Sequence, residues 1–342
     1  MGSVVTLGEI MLRLSPPGQS RIFQAQSMDV NYGGAEANVA VSLAQLGHKV
    51  SFVSKVPDNA LGDAALGVLK KYNADCSHVV RGGERLGIYF LENGASVRPS
   101  SVVYDRKYSA FSKMEADELD FDVIFKDVDL FHISGITPVL SPSCARLSLD
   151  AVKAAKAHGV TVSLDLNYRK RLWEDHVEDK QQVMAELASY ADICFGNALD
   201  GAKCLGWSKE GENLLSGPFE PCVSRENMES MRSAYGFTYL VSSLRESVSA
   251  SDNGWSGEVC WKDGFYIGRK YMLHIVDRVG GGDAFAAGFL HGILEKMAPS
   301  EALEFALAAA AIKHTIPGDL NIISVSEVKA LMDSDGAGRV IR

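Results

Sequence analysis

The chain has 342 residues, with 34 Lys or Arg against 43 Asp or Glu, a formal net charge of −9 at pH 7. That balance argues against a general nucleic-acid binder, whose basic surface must displace counterions, and against a polybasic membrane-surface protein. Hydrophobic residues make up 46% and charged residues 23%, ordinary usage for a globular chain with one large domain or two smaller ones.

The cysteines, Cys76, Cys144, Cys194, Cys204, Cys222 and Cys260, form no CxxC pair and suit no zinc knuckle. Reduced thiols in a cytoplasmic protein are expected. The amino end lacks a basic stretch followed by a long apolar run, and no run approaches the ~20 apolar residues of a membrane span. Neither a signal peptide nor a membrane partner is expected.

In chain order, Val4–Leu7 is an apolar run ending at Gly8 and reads as a buried strand. Glu9–Ser15 alternates, with Ile10, Leu12 and Leu14 on one face. Phe23–Tyr32 is strand-like until Gly33-Gly34 breaks it. Ala35–Leu46 predicts a helix capped by Gly47. A strand at Val50–Val56 and a helix at Gly62–Tyr72 follow. Gly87–Leu91 and Ser101–Tyr104 read as two strands. Leu130–Ser134 (strand), Ser143–His158 (helix), Val160–Leu166 (strand), Lys180–Tyr190 (helix) and Ile193–Phe195 (strand) alternate after them. Residues 207–233 are polar with a weak pattern and read as an irregular insertion. Tyr239–Ser242 is a strand. Residues 247–275 look like strands with turns at Asp252-Asn253-Gly254 and Lys262-Asp263-Gly264. Asp283–Glu295 and Pro299–His314 are helices.

Alternation of this kind implies an α/β fold: a mostly parallel sheet with helices on both faces. Residues 9–32 and 84–112 are β-rich and carry no helix. The expected account is a small β-sheet lid made of those two excursions. The α/β domain then comprises residues 1–8, 33–83 and 113–342.

Glycine is in excess, 32 residues or about 9% against a usual ~7%, and it clusters. Gly280-Gly281-Gly282-Asp283 precedes a helix-forming run. Free N–H groups at a helix N-terminus, with the helix dipole, make an anion site. A transferring phosphoryl group needs such a cradle, because its charge spreads over three oxygens. A carboxylate there would repel phosphate unless it takes a proton from an attacking hydroxyl. An N-capping Asp after a flexible loop accounts for the same residues equally well. Gly33-Gly34 leads from a strand into a helix that places Asn38 one turn in, within reach of a substrate hydroxyl.

Gly33–Gly47 and Asp277–Leu290 together resemble the two signature segments of the PfkB (ribokinase-like) carbohydrate kinases. Their order and separation agree, so the resemblance covers essentially the whole chain. It implies an α/β domain with a β lid. It also implies Asp283 as catalytic base and Gly280, Gly281 and Gly282 as the anion hole. Asn197 begins a segment like the family's N-x-x-E, here ending in Asp200, which would place Mg²⁺ through waters. Asp277 matches a position that binds a monovalent cation, such as K⁺, in some relatives. ATP is the implied phosphate donor, with Asn167, Ser242, Arg245, Ala311 and His314 as nucleotide-side candidates. The usual glycine of that side is missing from Ser242–Ser247.

The set Tyr89, Tyr104, Arg106, Arg169 and Asp319, with Gly33, Gly34 and Asn38, resembles the substrate contacts of the 2-keto-3-deoxygluconate kinase subgroup. Two guanidiniums aimed at a neutral hexose would be left unpaired, which favours a sugar acid. A fructokinase-like ketose kinase, and a catalytically idle sugar- or nucleotide-sensing protein, remain the alternatives. An apolar lid surface suggests a homodimer paired lid to lid.

Overall fold

The computed structural model describes residues 1–208 and 221–334, without the side chains of residues 221–224. The elements in chain order are β1 (Ser3–Leu7), β2 (Met11–Ser15), β3 (Asp29–Gly33), α1 (Ala35–Gln45), β4 (Lys49–Val56), α2 (Ala60–Lys71), β5 (Val79–Arg81), β6 (Gly87–Glu92) and β7 (Ser101–Asp105). Then come α3 (Phe121–Ile124), β8 (Leu130–Ser134), α4 (Pro142–Ala157), β9 (Thr161–Asp165), α5 (Val177–Ser189), β10 (Ile193–Phe195), α6 (Ala198–Leu205) and α7 (Pro221–Tyr235). The chain continues through β11 (Tyr239–Ser247), β12 (Asp252–Trp261), β13 (Gly264–Ile267), β14 (Tyr271–His274), α8 (Gly281–Leu294), α9 (Pro299–Lys313) and α10 (Val325–Asp333).

Among the described residues the larger sheet has ten strands, ordered β13-β12-β11-β10-β9-β8-β1-β4-β5 with β14 beside β12. Pairing is parallel from β5 to β11 and antiparallel beyond. The parallel strands are covered on both faces, so β8 (Leu-Phe-His-Ile-Ser) is buried at every position. The strand order reverses at β1, flanked by β4 and β8. Such switch points open a crevice at the carboxyl ends of the strands.

Beneath this crevice α8 packs on α9. Gly288 and Gly292 let the helices touch: a Cβ on Gly292 would lie 2.5 Å from the Ala302 Cβ. That contact accounts for glycines inside a helix and for the alanine-rich α9. The second sheet, β3-β2-β6-β7, is mixed, antiparallel except for parallel β2–β6.

Three sequence expectations change. Phe23–Tyr32 is not one strand, because Ile22–Gln24 is a 3-10 turn and pairing starts at Asp29. Asp252-Asn253-Gly254 is not a turn: all three residues pair with β14, Asn253 and Gly254 pair with β11 as well, and the chain reverses at 248–251. The second partner strand overrides the local turn propensity. In the stretch read as an irregular insertion, Pro221–Tyr235 is helical; residues 209–220 lie outside the described set.

The cysteines with described side chains (Cys76, Cys144, Cys194, Cys204 and Cys260) are free and buried. Among the described residues no helix is long and apolar enough to cross a membrane.

Candidate active site

A cleft of about 470 Å³ opens at the switch point, between the two sheets. It is lined by Gly33, Gly34, Asn38, Tyr89, Tyr104, Arg106, Asn167, Arg169, Asp200, Ser242, Gly280, Gly282, Asp283 and Asp319, all singled out from the sequence. Gly281, Asn197, Arg245, Asp277, Ala311 and His314 stand behind or beside it.

Its floor is the start of α8. Gly280 takes the left-handed conformation, φ +81°, and caps the helix. Its backbone lies hard against the loop after α9, for a Cβ would come 2.0 Å from the Asp319 carbonyl oxygen. Gly282 is exposed, with open space where a Cβ would sit. Gly281 is buried and its N–H donates to the Arg278 carbonyl at 3.3 Å, so Gly282 is the residue this N-terminus leaves open, a position that fits the phosphates of a nucleotide.

Asp283 follows at the cleft edge. Burial pushes its carboxyl up to about 7, against hydrogen bonding from Asn38 and the charge of Arg169. Asn38 Nδ2 donates to Asp283 Oδ2 at 2.6 Å, while Asn38 Oδ1 accepts from Gly34 N–H at 3.3 Å. The amide is thus oriented from both ends. Gly34 is needed because the backbone passes too close for a side chain, a Cβ falling 1.9 Å from the Glu9 carbonyl oxygen.

Asp165, at the end of β9, was not among the candidates. Burial, then the charge of Asp283, pushes it up to about 7 as well. Its carboxylate accepts from Asn167 N–H at 3.0 Å and from Asn167 Nδ2 at 3.3 Å. Asn167 has φ +42° and a buried Oδ1 without a protein partner. Asn197 caps α6 through a reciprocal box with Asp200: Asp200 N–H donates to Asn197 Oδ1 (2.9 Å), and Asn197 N–H to Asp200 Oδ2 (3.1 Å). Asp200 lines the cleft with its carboxyl raised by burial. Among the described residues no trio of His, Cys, Asp or Glu is arranged to hold a metal ion. The acidic set fits a hydrated Mg²⁺ carried by a nucleotide better than a protein cage.

At the opposite wall, Tyr89 and Tyr104 stand 5.9 Å apart between ring centroids. Arg106 is not a free cation: its Nε donates to Glu9 Oε2 at 2.8 Å and a second guanidinium nitrogen reaches the same oxygen. Arg169 is exposed and forms no ion pair among the described residues. Asp319 is buried, accepting from Arg13 at 2.8 Å and from the Tyr89 hydroxyl. Asp277 is occupied likewise, by Arg13 at 2.7 Å and Gly318 N–H at 3.0 Å.

On the nucleotide side, Arg278 lines the cleft and donates to the Ala250 carbonyl at 2.7 Å. Burial, then nearby Arg245, lowers its pKa. It too was missed, although it adjoins the glycine triplet. Arg245 is exposed. His314 lies directly under Gly281, packs at a tilt of 56° against Trp255 with centroids 4.9 Å apart, and bonds Ala310 O through Nδ1 at 2.6 Å. Ala311 is buried in α9.

A carboxylate that titrates near neutrality beside an anion cradle can take the proton of a hydroxyl as that oxygen attacks a phosphoryl group. Fold and floor together define a phosphotransferase. The comparisons with known proteins narrow it. The model of the pfkB family of carbohydrate kinases matches residues 1–228 and 241–324, and the chain belongs to that family. It is an ATP-dependent sugar kinase. A crystal structure of 2-dehydro-3-deoxygluconokinase from Thermotoga maritima is 46% identical with TM-score 0.91, covering 97% of this chain and 98% of that one. The 2-dehydro-3-deoxygalactonokinase of Haloferax volcanii is 30% identical over 335 residues, 98% of each chain. The 2-dehydro-3-deoxygluconokinase of Bacillus subtilis is 28% identical over 94% of this chain and 93% of its own.

Proposed function

We propose that the chain transfers the γ-phosphate of ATP to the primary hydroxyl of 2-keto-3-deoxygluconate. The observation that carries this reading is the layout of the cleft: a proton acceptor and anion cradle at the start of α8, Tyr104 and the Glu9-paired Arg106 of the smaller sheet facing it, and Arg169 as a lining cation with no ion pair among the described residues. A six-carbon sugar acid presents its carboxylate and its primary hydroxyl at opposite ends, which suits that layout.

Asp283 removes the hydroxyl proton as the oxygen attacks. The bond to the ADP oxygen breaks with its electron pair. The Gly280–Gly282 amides take up the developing charge. Asn38 keeps Asp283 aimed. Arg169 sits near enough to hold Asp283 partly ionised, so it serves the transfer point, while Arg106, fixed by Glu9, meets the acid end. Mg²⁺, when bound, neutralises the phosphates, with Asp200 and Asn167 as its water-mediated or phosphate-side contacts. Arg13 and the Gly318 N–H already occupy Asp277 Oδ2, which favours transfer without a monovalent cation on that oxygen. The smaller sheet acts as a lid that excludes water during transfer. Val30 and Val103 are exposed on it, and lid-to-lid pairing makes a homodimer.

A coupled ADP-release assay over keto-deoxy acids of both C4 configurations, fructose and ribose tests the substrate. The highest kcat/KM is expected for the keto-deoxy acid. A higher value for fructose overturns the sugar-acid reading, and no ADP release with any of the sugars points to the idle-protein alternative. Light scattering across micromolar concentrations tests the dimer; a constant monomer mass overturns it.

A further inference from the structure

We infer that Arg13 is a positioning residue of the transfer site, tying the phosphate cradle to the smaller sheet. It does not line the cleft. It lies on β2, on the face opposite Leu12 and Leu14, where an arginine between leucines reads as solvent-facing. Instead its side chain is only 2% exposed.

All three directions of its guanidinium are used. Nε donates to Ser15 Oγ at 2.8 Å, one terminal nitrogen to Asp319 Oδ2 at 2.8 Å, the other to Asp277 Oδ2 at 2.7 Å. Two buried carboxylates from distant loops are thereby held by one planar fork, a geometry that a lysine point charge cannot reproduce.

Both carboxylates hold backbone that shapes the cradle. Asp277 Oδ1 accepts from Val279 N–H at 3.1 Å, the residue before the glycine triplet, and Asp277 Oδ2 also accepts from Gly318 N–H at 3.0 Å. The carbonyl of Asp319 is the surface on which Gly280 rests. The other Asp319 carboxylate oxygen accepts from the hydroxyl of Tyr89, whose ring lines the sugar end. One side chain of the smaller sheet therefore fixes the loops on both sides of Gly280, and shares Asp319 with a wall of the sugar pocket. Cradle amides act on charge that develops in the transition state, so their misplacement shows in kcat more than in KM.

This rests on Gly280–Asp283 being the phosphate cradle. Its test uses Arg13→Lys and Arg13→Ala in the full chain, with circular dichroism and gel filtration as folding controls. For folded Arg13→Lys, kcat is expected to fall about tenfold or more, roughly 1.4 kcal/mol, with both KM values within about threefold. Arg13→Ala is expected to fall further and to recover in millimolar guanidinium but not in equal sodium chloride. Hydrogen exchange in the 277–283 segment is expected to speed up in both. This last readout needs no turnover, so an inert wild type would count against the kinase reading while the exchange still decides the role of Arg13. Wild-type kcat in Arg13→Lys, absence of guanidinium rescue in folded Arg13→Ala, or unchanged exchange overturns the inference. Failure of both variants to fold also overturns it, leaving a purely structural ion pair.

Discussion

Asn38 and Asp283 meet across 2.6 Å, joining the helix after the first glycine pair to the helix after the triplet. The two residues are 245 positions apart in the chain. Because Asn38 donates to the ionised carboxylate, it holds Asp283 below where burial alone would put it. Asp283→Asn is expected to lower kcat by about 10²–10⁴-fold with little change in sugar affinity. Asn38→Ala is expected to move the acid limb of the kcat/KM profile to higher pH. A profile unchanged in Asn38→Ala removes that role.

The raised carboxyls of Asp283 and Asp165 also bear on stability. Both lie near 7 in the folded chain against an ordinary value of 3.8. Between those values the native state binds more protons than the unfolded state, so their contribution to stability falls as pH rises through about 7. Asp283→Asn should therefore raise Tm by a few degrees at pH 8. The gain should vanish near pH 4. Calorimetry at the two pH values checks it, and a variant no more stable at pH 8 contradicts it.

The two cations are expected to separate kinetically. Arg106→Met should cost about 10–100-fold in kcat/KM for the keto-deoxy acid, the worth of a charged hydrogen bond, and much less for a neutral ketose. Arg169→Met should lower kcat for both and shift the acid limb upward, since its charge helps ionise Asp283. Equal losses on acid and ketose in Arg106→Met would remove the carboxylate contact.

Gly34→Ala tests the close approach of backbone to backbone. Its φ of −178° suits any residue, so the cost is contact with the Glu9 carbonyl alone. Destabilisation of about 1–3 kcal/mol is expected, with loss of turnover as Asn38 shifts. A wild-type denaturation midpoint would show that the loop yields freely.

Arg13 fills the place opposite Asp277. Exchange of potassium for tetramethylammonium chloride at equal ionic strength is expected to leave kcat within about twofold, under 0.5 kcal/mol. Strong activation by K⁺ would restore a cation to that site.

Much of the fold was legible because apolar runs and glycine punctuation are local signals. β8, β10 and α1 fall where their patterns put them. The short β5 and the polar starts of α6 and α7 were not legible. β5 has three half-buried residues, and α6 depends on its Asn197–Asp200 cap. Asp165 was noticed only as the end of a strand, because its raised carboxyl comes from burial and from Asp283, neither of which is a sequence property.

By itself the sequence determined the alternating α/β plan, the two glycine clusters and the carboxylate after the triplet. These rest on backbone freedom and hydrophobic period, which neighbours in the chain set. Only the tertiary structure decided which charges face which. It paired Arg106 with Glu9 and left Arg169 open. It buried Arg13 between Asp277 and Asp319, partners more than 260 residues away. Charge pairing depends on distance and burial in space, so residue type and spacing along the chain do not reveal it.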